Sequence, residues 1–388
     1  MLQEDSIFVN RVFIFSRRVS RRRVEARAMI DYDQLIFAQV EELPRHWPVV
    51  IPLGGTPAEH RLQLPNTDLI LMPALPYGFA PPLDLPLEPV IASLVEILHE
   101  DGFHDIRLLG PRSYCGLPLL PYCGPPLKLA EETALVPIGH TEQHGFHLPL
   151  ATDSLIAQGL ANHVRYDRPL TRLPVWPYGV STHRRQYPGT LSMEARTFED
   201  FFVALCGQLA AHHQVIYLLN GHGGNHSFLV NVCKFAGERF PHSLTATTFL
   251  HTASGKAEAE LTRLRQSHVM GHACELETSY LMHLCPDRVQ LDRAVDEADF
   301  LESPNYRMDW NGEGALILNP PWSDDTRTGT YGCPSLASAA KGEAWLQAGV
   351  AEIETHLHEL RQQWERRQQR RQQGWVEGAW RPFWSARR

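Results

Sequence analysis

The segment HTEQHGFHLPLATD, residues 140–153, gathers Glu142, His144, His147 and Asp153 into one short stretch. Imidazoles mixed with carboxylates are donors for zinc, manganese or iron rather than for calcium. Glu142 and His144 are two apart, so along an extended chain their side chains share a face. Asp153 stands where a helix is expected to start, and from there its carboxylate can turn back and bridge two divalent ions. A second stretch, NGHGGNH (220–226), offers His222 among glycines. Glycine lets backbone amides approach a ligand closely, which makes Gly223 a candidate substrate contact beside the histidine. The third, GHACELETS (271–279), carries His272, Glu275 and Glu277. Two glutamates two apart near a helix start do not both face one metal, so one is expected as ligand and the other as base or support. Spacing leaves open which of Glu275 and Glu277 takes which role. His272 is a candidate proton donor to a leaving group. In STHRRQYPGTLSM (181–193), Pro188-Gly189 marks a turn. Ser192, Tyr187 and His183 there are candidates for lining the substrate, and Arg184 and Arg185 for binding a substrate carboxylate.

These residues need a scaffold that brings them together. From about residue 134 to 340, short β-rich runs alternate with amphipathic helical stretches, the pattern of a layered α/β domain. The run ALVPIG (134–139) reads as a strand, and the segment after Asp153 as a helix with Asp153 at its N-cap. TFEDFFVALCGQLAAHH opens on a Thr197-x-x-Asp200 capping pattern and leads into the strand VIYLL (215–219). A helix follows from about Ser227, another covers CELETSYLMHL, and a long last helix starts near Ser338 and passes Leu360. Both histidine clusters then follow strands, and sites in open α/β sheets form at the carboxyl ends of strands.

The N-terminal third echoes this pattern. VVIPLGGTPAEHRLQLPNTD (49–68) parallels residues 134–153, LPYGFAPP from Leu75 parallels WPYGVSTH from Trp176, and DGFHDIRLLGP (101–111) parallels AHHQVIYLLNG (211–221). Three matches in one order point to an internal repeat. The first copy has Pro57 in place of Glu142, Glu59 in place of His144 and Arg112 in place of His222, so it keeps strands and loses ligands. The expected division is a disordered basic leader (1–28), a degenerate half (29–130), a catalytic domain (131–365) and a basic tail (366–388).

Composition narrows the function class. The chain has 388 residues, 43% hydrophobic and 21% charged, which is ordinary for a globular protein with a sizeable core. Its longest apolar runs are too short to span a bilayer, and a net charge of −8 does not suggest nucleic acid as a partner. Seven scattered cysteines with no C-x-x-C pair read as reduced thiols of a cytoplasmic protein. The basic run after residue 15 follows an apolar stretch, the reverse of a secretory signal.

The motifs PIGHTEQHGFHLPLATD, YPGTLS, NGHGGN, HACELETS and GTYGCPSLASAAKGEAWL, in this order over residues 131–360, resemble those of the creatininase family of amidohydrolases. The resemblance implies a three-layer α/β/α sandwich, two divalent ions per subunit (zinc, manganese or iron) and a homo-oligomer, commonly a hexamer. It implies that Glu142 and His222 bind one ion, His144 and Glu277 the other, and that Asp153 bridges them. It further implies that a metal-held hydroxide attacks an amide carbonyl while His272 assists proton transfer. Members that open creatinine carry a glutamate where this chain has Gly224, and no equivalent of their tryptophan-bearing loop is evident. Glu275 is then a candidate to complete the first metal site in place of that glutamate. The expected substrate is a small cyclic or linear amide other than creatinine. A peptidase maturing a modified peptide of the mycofactocin type is the alternative, and a metal-binding subunit without activity is a third reading.

Overall fold

The computed structural model describes residues 28–64, 67–129, 132–250, 255–307, 309 and 315–374. The expected leader (bar Ala28) and residues 375–388 of the expected tail lie outside the described residues. The strands are β1 (Met29–Asp31), β2 (Val49–Pro52), β3 (Leu69–Leu71), β4 (Phe79–Ala80), β5 (Leu83–Asp84), β6 (Ile106–Gly110), β7 (Leu119–Pro121), β8 (Glu132–Ile138), β9 (Leu170–Arg172), β10 (His213–Asn220), β11 (Leu244–Phe249), β12 (Met270–His272) and β13 (Tyr331–Gly332). The helices are α1 (Phe37–Val40), α2 (Pro57–Gln63), α3 (Leu87–Glu100), α4 (Thr152–His163), α5 (Ala195–Ala210), α6 (His226–Arg239), α7 (Lys256–Leu264), α8 (Glu275–Leu284) and α9 (Ala339–Gln372).

Residues 132–374 form a three-layer α/β/α sandwich around the parallel sheet β11-β10-β8-β9. Strand side chains alternate between the two faces, and both faces are covered. Ala134, Val136, Ile138, Ile216 and Leu218 join the core on the α5 and α6 side, while Leu135, Tyr217 and Leu219 join the core with α4, α8 and α9. Such strands read as continuous apolar runs because water reaches neither face.

The first part of the chain builds its own parallel sheet, β1-β3-β2-β6-β7. Setting β1 aside, both sheets place the second strand of their set beside the first, then the third, then the fourth. Pro52 pairs with Leu109 in one and Pro137 with Leu219 in the other. Parallel bridges join Leu53 to Leu75 and Ile138 to Trp176. The amide of Gly54 bonds to Leu75 O and that of Gly139 to Trp176 O, both at 2.8 Å. Val49, Ile51 and Leu108 share one apolar core with Val136, Phe198 and Leu218, and α3 packs on α5 in that layer.

Some boundaries differ from the sequence reading. Asp153 lies inside the first turn of α4, one residue after Thr152, and the N-cap is Ala151. The cap of α5 is Glu194, whose side chain accepts from the Thr197 amide at 2.7 Å. Ser338 caps α9 as its sequence context suggests, but the helix runs to Gln372, into the stretch assigned to the tail. Arg371 and Trp364 hold it down by bonding to Pro241 O and His242 O, so tertiary contacts extend a helix whose composition alone suggests fraying. Among the described residues, no helix is long and apolar enough to cross a membrane.

Candidate metal centre

Two strand ends supply the site. The chain leaves β8 at Gly139, where a Cβ would lie 2.5 Å from the backbone of Ser154. Only glycine lets the first turn of α4 settle there, which brings Asp153 over the strand. The chain leaves β10 at Gly221 and turns at once through His222 into the short helical turn Gly223–Asn225. The first turn of α8 adds Glu277, whose carboxylate accepts from the amide of Ala273 at 2.5 Å. Ala273 itself has φ +48, a left-handed conformation that a non-glycine residue rarely holds.

The structure brings Glu142, His144, Asp153, His222 and Glu277 together, with His272 beside them, all at most 2% exposed. Asp153 divides its oxygens: Oδ1 is 3.2 Å from His144 Nε2, and Oδ2 is 3.0 Å from His222 Nδ1. Glu142 Oε1 is 3.1 Å from the same His222 nitrogen, and Glu277 Oε1 is 4.0 Å from His144 Nε2. The opposite ring nitrogens settle the tautomers. His144 Nδ1 donates to Glu142 O at 3.1 Å and His222 Nε2 to Val180 O at 3.0 Å. Each imidazole therefore turns a lone pair toward two carboxylates. Lone pairs converging in a buried space repel unless a cation or proton lies between them. Asp153 takes part in two such convergences, one at each of its oxygens. Its Oδ2 makes no aligned hydrogen bond despite being buried. This donor set fits a pair of divalent cations sharing one carboxylate.

The titration behaviour has the same origin. Burial pushes the His222 imidazole down, but the Glu142 and Asp153 carboxylates outweigh it and hold it at about 9. His144 is also raised, with burial opposed by Asp153, Glu277 and Glu142. Burial pushes Asp153 up, yet His144 and His222 bring it below its ordinary value. Without metal, protons occupy the places that cations fit. Cation binding must then expel the His222 proton, so affinity for a divalent ion should rise about tenfold per pH unit between about pH 7 and pH 8, flattening above the imidazole's pKa. The metal-free fold should move the other way. His222 stabilises it below the unfolded pKa of about 6.5 and stops doing so as pH rises through about 9. Dye-competition titrations and melting curves across this range check both signs. An affinity that does not vary with pH would count against the assignment of His222.

The remaining candidates divide. His272 donates from Nε2 to Gln143 O at 2.7 Å and points Nδ1 between Glu142 (3.8 Å) and Glu277 (3.9 Å). Glu275 is not brought into the cluster. Its carboxylate accepts from the amides of Gln266 and Ser267 and pairs with Lys341, so it clamps the start of α8. Two residues along a helix is a rotation of about 200°, which sends the two glutamates to opposite sides. Ser192 Oγ accepts from the Ser181 amide at 2.8 Å, and Tyr187 OH donates to Thr326 O at 2.7 Å, so both brace loops. His183 is half-buried against the Trp322 ring, and Gly223 is half-buried beside His222. Arg185 pairs with Glu100. His147 turns to Thr278 at 2.9 Å; burial first, then His144, push it down to about 3.

Three contributors escaped the sequence reading. Ser181 Oγ donates to Glu142 Oε2 at 2.8 Å. His140, fully buried, accepts the Gly179 amide at Nδ1 and packs its ring 4.6 Å from that of His222. Trp322 stands edge-on to His272 at 5.1 Å, so a tryptophan-bearing loop does reach the site. Ser181 sits in a motif already singled out, but nothing in its spacing marks it. Trp322 lies in an irregular segment without periodicity. At Gly224 a Cβ would meet Val180 O at 2.2 Å and His222 Nε2 at 2.5 Å. A glutamate has no room there, and Glu277 reaches the centre from the other side.

Fold and site together define the class: a layered α/β protein with a buried cluster suited to metal binding at its strand ends. The chain belongs to the creatininase family, whose family model, described as creatinine amidohydrolase, matches residues 127–357. It is accordingly a hydrolase acting on C–N bonds. A mycofactocin precursor peptide peptidase of Mycolicibacterium smegmatis is 32% identical over 216 residues, 54% of this chain and 77% of that protein. The creatinine amidohydrolase of Pseudomonas putida is 26% identical over 246 residues, 58% of this chain and 88% of that one. A 3-dehydro-scyllo-inosose hydrolase of Thermotoga maritima is 25% identical over 242 residues, covering 58% and 76%. A solved structure of a candidate creatinine amidohydrolase from Bacteroides fragilis matches in fold, with a TM-score of 0.51 at 23% identity over 60% of this chain and 90% of that one.

Proposed function

We propose that this protein hydrolyses an amide other than creatinine, using two divalent ions held by Glu142, His144, Asp153, His222 and Glu277. The observation that carries this reading is the division of the Asp153 oxygens between two imidazole–carboxylate convergences. When bound, paired ions supply Lewis acidity and lower the pKa of a water molecule. The chain's own residues do the rest. The Glu142 carboxylate is oriented by Ser181, and His272 is held in one tautomer by Gln143 O. Its Nδ1, facing Glu142 and Glu277, accepts the proton of the attacking water and delivers it to the amide nitrogen as the C–N bond breaks. Burial of the whole cluster strengthens each of these interactions.

A short peptide is the second substrate reading, favoured by the identity to mycofactocin precursor peptide peptidases. One experiment tests both. Metal analysis should find two equivalents per chain, and a chelator should abolish hydrolysis across a panel of linear amides, cyclic amides and short peptides. Turnover confined to peptides would select the second reading. Tight metal with no turnover anywhere in the panel would favour an inactive metal-binding subunit instead.

A further inference from the structure

The proposed ligands come from the second half of the chain, but the loop that carries two of them and leads into the helix bearing a third rests on the first. In the loop between β8 and α4, the Leu150 amide bonds to Leu35 O at 2.8 Å and the Ala151 amide to Asp33 O at 3.0 Å. The contact continues inward, because Leu150 O accepts from the amide of Glu142 at 3.1 Å. Ala151 caps α4, two residues before Asp153. Phe37 then stacks on Phe146 at 5.0 Å and meets the Tyr187 ring edge-on at 5.7 Å. Residues 33–37 thus touch the loop beside both of its carboxylate ligands.

The first half has no comparable cluster of its own at the matching positions. Asp68, which aligns with Asp153, accepts from the Ala28 amide in an exposed place. Glu59, aligned with His144, caps its own helix, and Arg112, aligned with His222, pairs with Asp84. Strand order, pairing register and the Gly54 and Gly139 contacts nevertheless coincide between the two sheets. We propose that residues 29–124 are a ligand-free copy of the catalytic unit, retained in cis as a built-in partner whose segment 33–37 positions the metal-binding loop. The role of Phe37 is positioning: it acts through Phe146 and Tyr187 on the spacing of Glu142 and Asp153.

The inference rests on the metal reading of the site, and zinc affinity measured on the full chain separates the two. Phe37→Ala should weaken zinc binding about tenfold in dye competition and lower kcat with little change in KM, in the range known for groups that orient metal ligands. Phe37→Leu, which keeps most of the volume, should recover most of the affinity and guards against misfolding of the alanine variant. Leu94→Ala is the control, since Leu94 is equally buried in the same half on α3. It should lower the melting midpoint at least as much and leave zinc affinity unchanged. If both alanine variants lower the midpoint and both keep wild-type zinc affinity, the first half is merely structural and the proposal falls. Absence of zinc binding by the unaltered chain would overturn the metal reading itself, and this inference with it.

Discussion

Replacing Asp153 by asparagine should abolish measurable activity and weaken both metal positions at once. Asparagine keeps the shape of the side chain but offers one carbonyl oxygen and one NH2 group. Whichever way it turns, the NH2 faces either His144 Nε2 or His222 Nδ1, where the structure places the two carboxylate oxygens. One convergence loses a ligand atom, and the shared negative charge disappears from both. A bridging group lost from a two-metal site costs several kcal/mol of transition-state stabilisation, so kcat/KM should fall at least ~10³-fold. Metal content should drop from two equivalents to one or none. Ser181→Ala gives the scale: it removes one hydrogen bond to Glu142 and should cost only about 10–100-fold with metal retained. If Asp153→Asn kept two equivalents of metal, the bridging role would be wrong even if activity were lost.

That variant tests a residue the sequence already singled out, and the reason it was legible is local. Glu142, His144 and Asp153 lie within twelve residues, in the loop and the first helical turn after a strand whose apolar pattern is unmistakable, so spacing and type alone place them together. His222 was legible for the same reason at the end of β10. The two glutamates of α8 were harder. Periodicity says that Glu275 and Glu277 diverge, but not which one points inward. Lys341, far along the chain, decides that by pairing with Glu275. Trp322 and the segment 33–37 depend wholly on tertiary contacts, with no periodic or motif signal to announce them. The helix caps show a milder version of the same limit. Thr197 matches a capping pattern, yet the helix starts at Ala195: Glu194 is the cap and accepts from the Thr197 amide, which places Thr197 inside the first turn.

The proposed repeat rests in sequence on three short matches, which give no sign of a consequence for the site. Both copies keep the residues that shape strands and turns, such as the Pro-Tyr-Gly runs at residues 76–78 and 177–179. Ligand positions carry no such structural requirement, so a copy relieved of catalysis can lose them while its sheet persists. Its packing layer persists as well, since α3 and α5 sit between the sheets in one shared core.

His272→Gln should separate proton transfer from metal binding. The histidine donates from Nε2 to Gln143 O, and glutamine can keep a donor in that direction. What it lacks is the basic Nδ1 that stands 3.8 Å from Glu142 and 3.9 Å from Glu277. Those separations exceed the 3.0 and 3.1 Å around His222 Nδ1 but match the 4.0 Å between Glu277 and His144, so metal content, rather than distance, tells a base from a ligand here. A general acid–base group lost from such a position costs about 10²–10⁴-fold in kcat. KM and metal content should change little, because the five proposed ligands and their supporting bonds remain. The opposite outcome is also informative: since Glu142, His144 and His272 lie close enough to hold an ion together, a variant that sheds one metal equivalent would make His272 a ligand. Proton delivery to the leaving nitrogen would then fall to another group, and the variant would lose rate alike on activated and unactivated amides. Unequal rates on activated and unactivated amides, with metal content intact, are what a proton-transferring His272 requires.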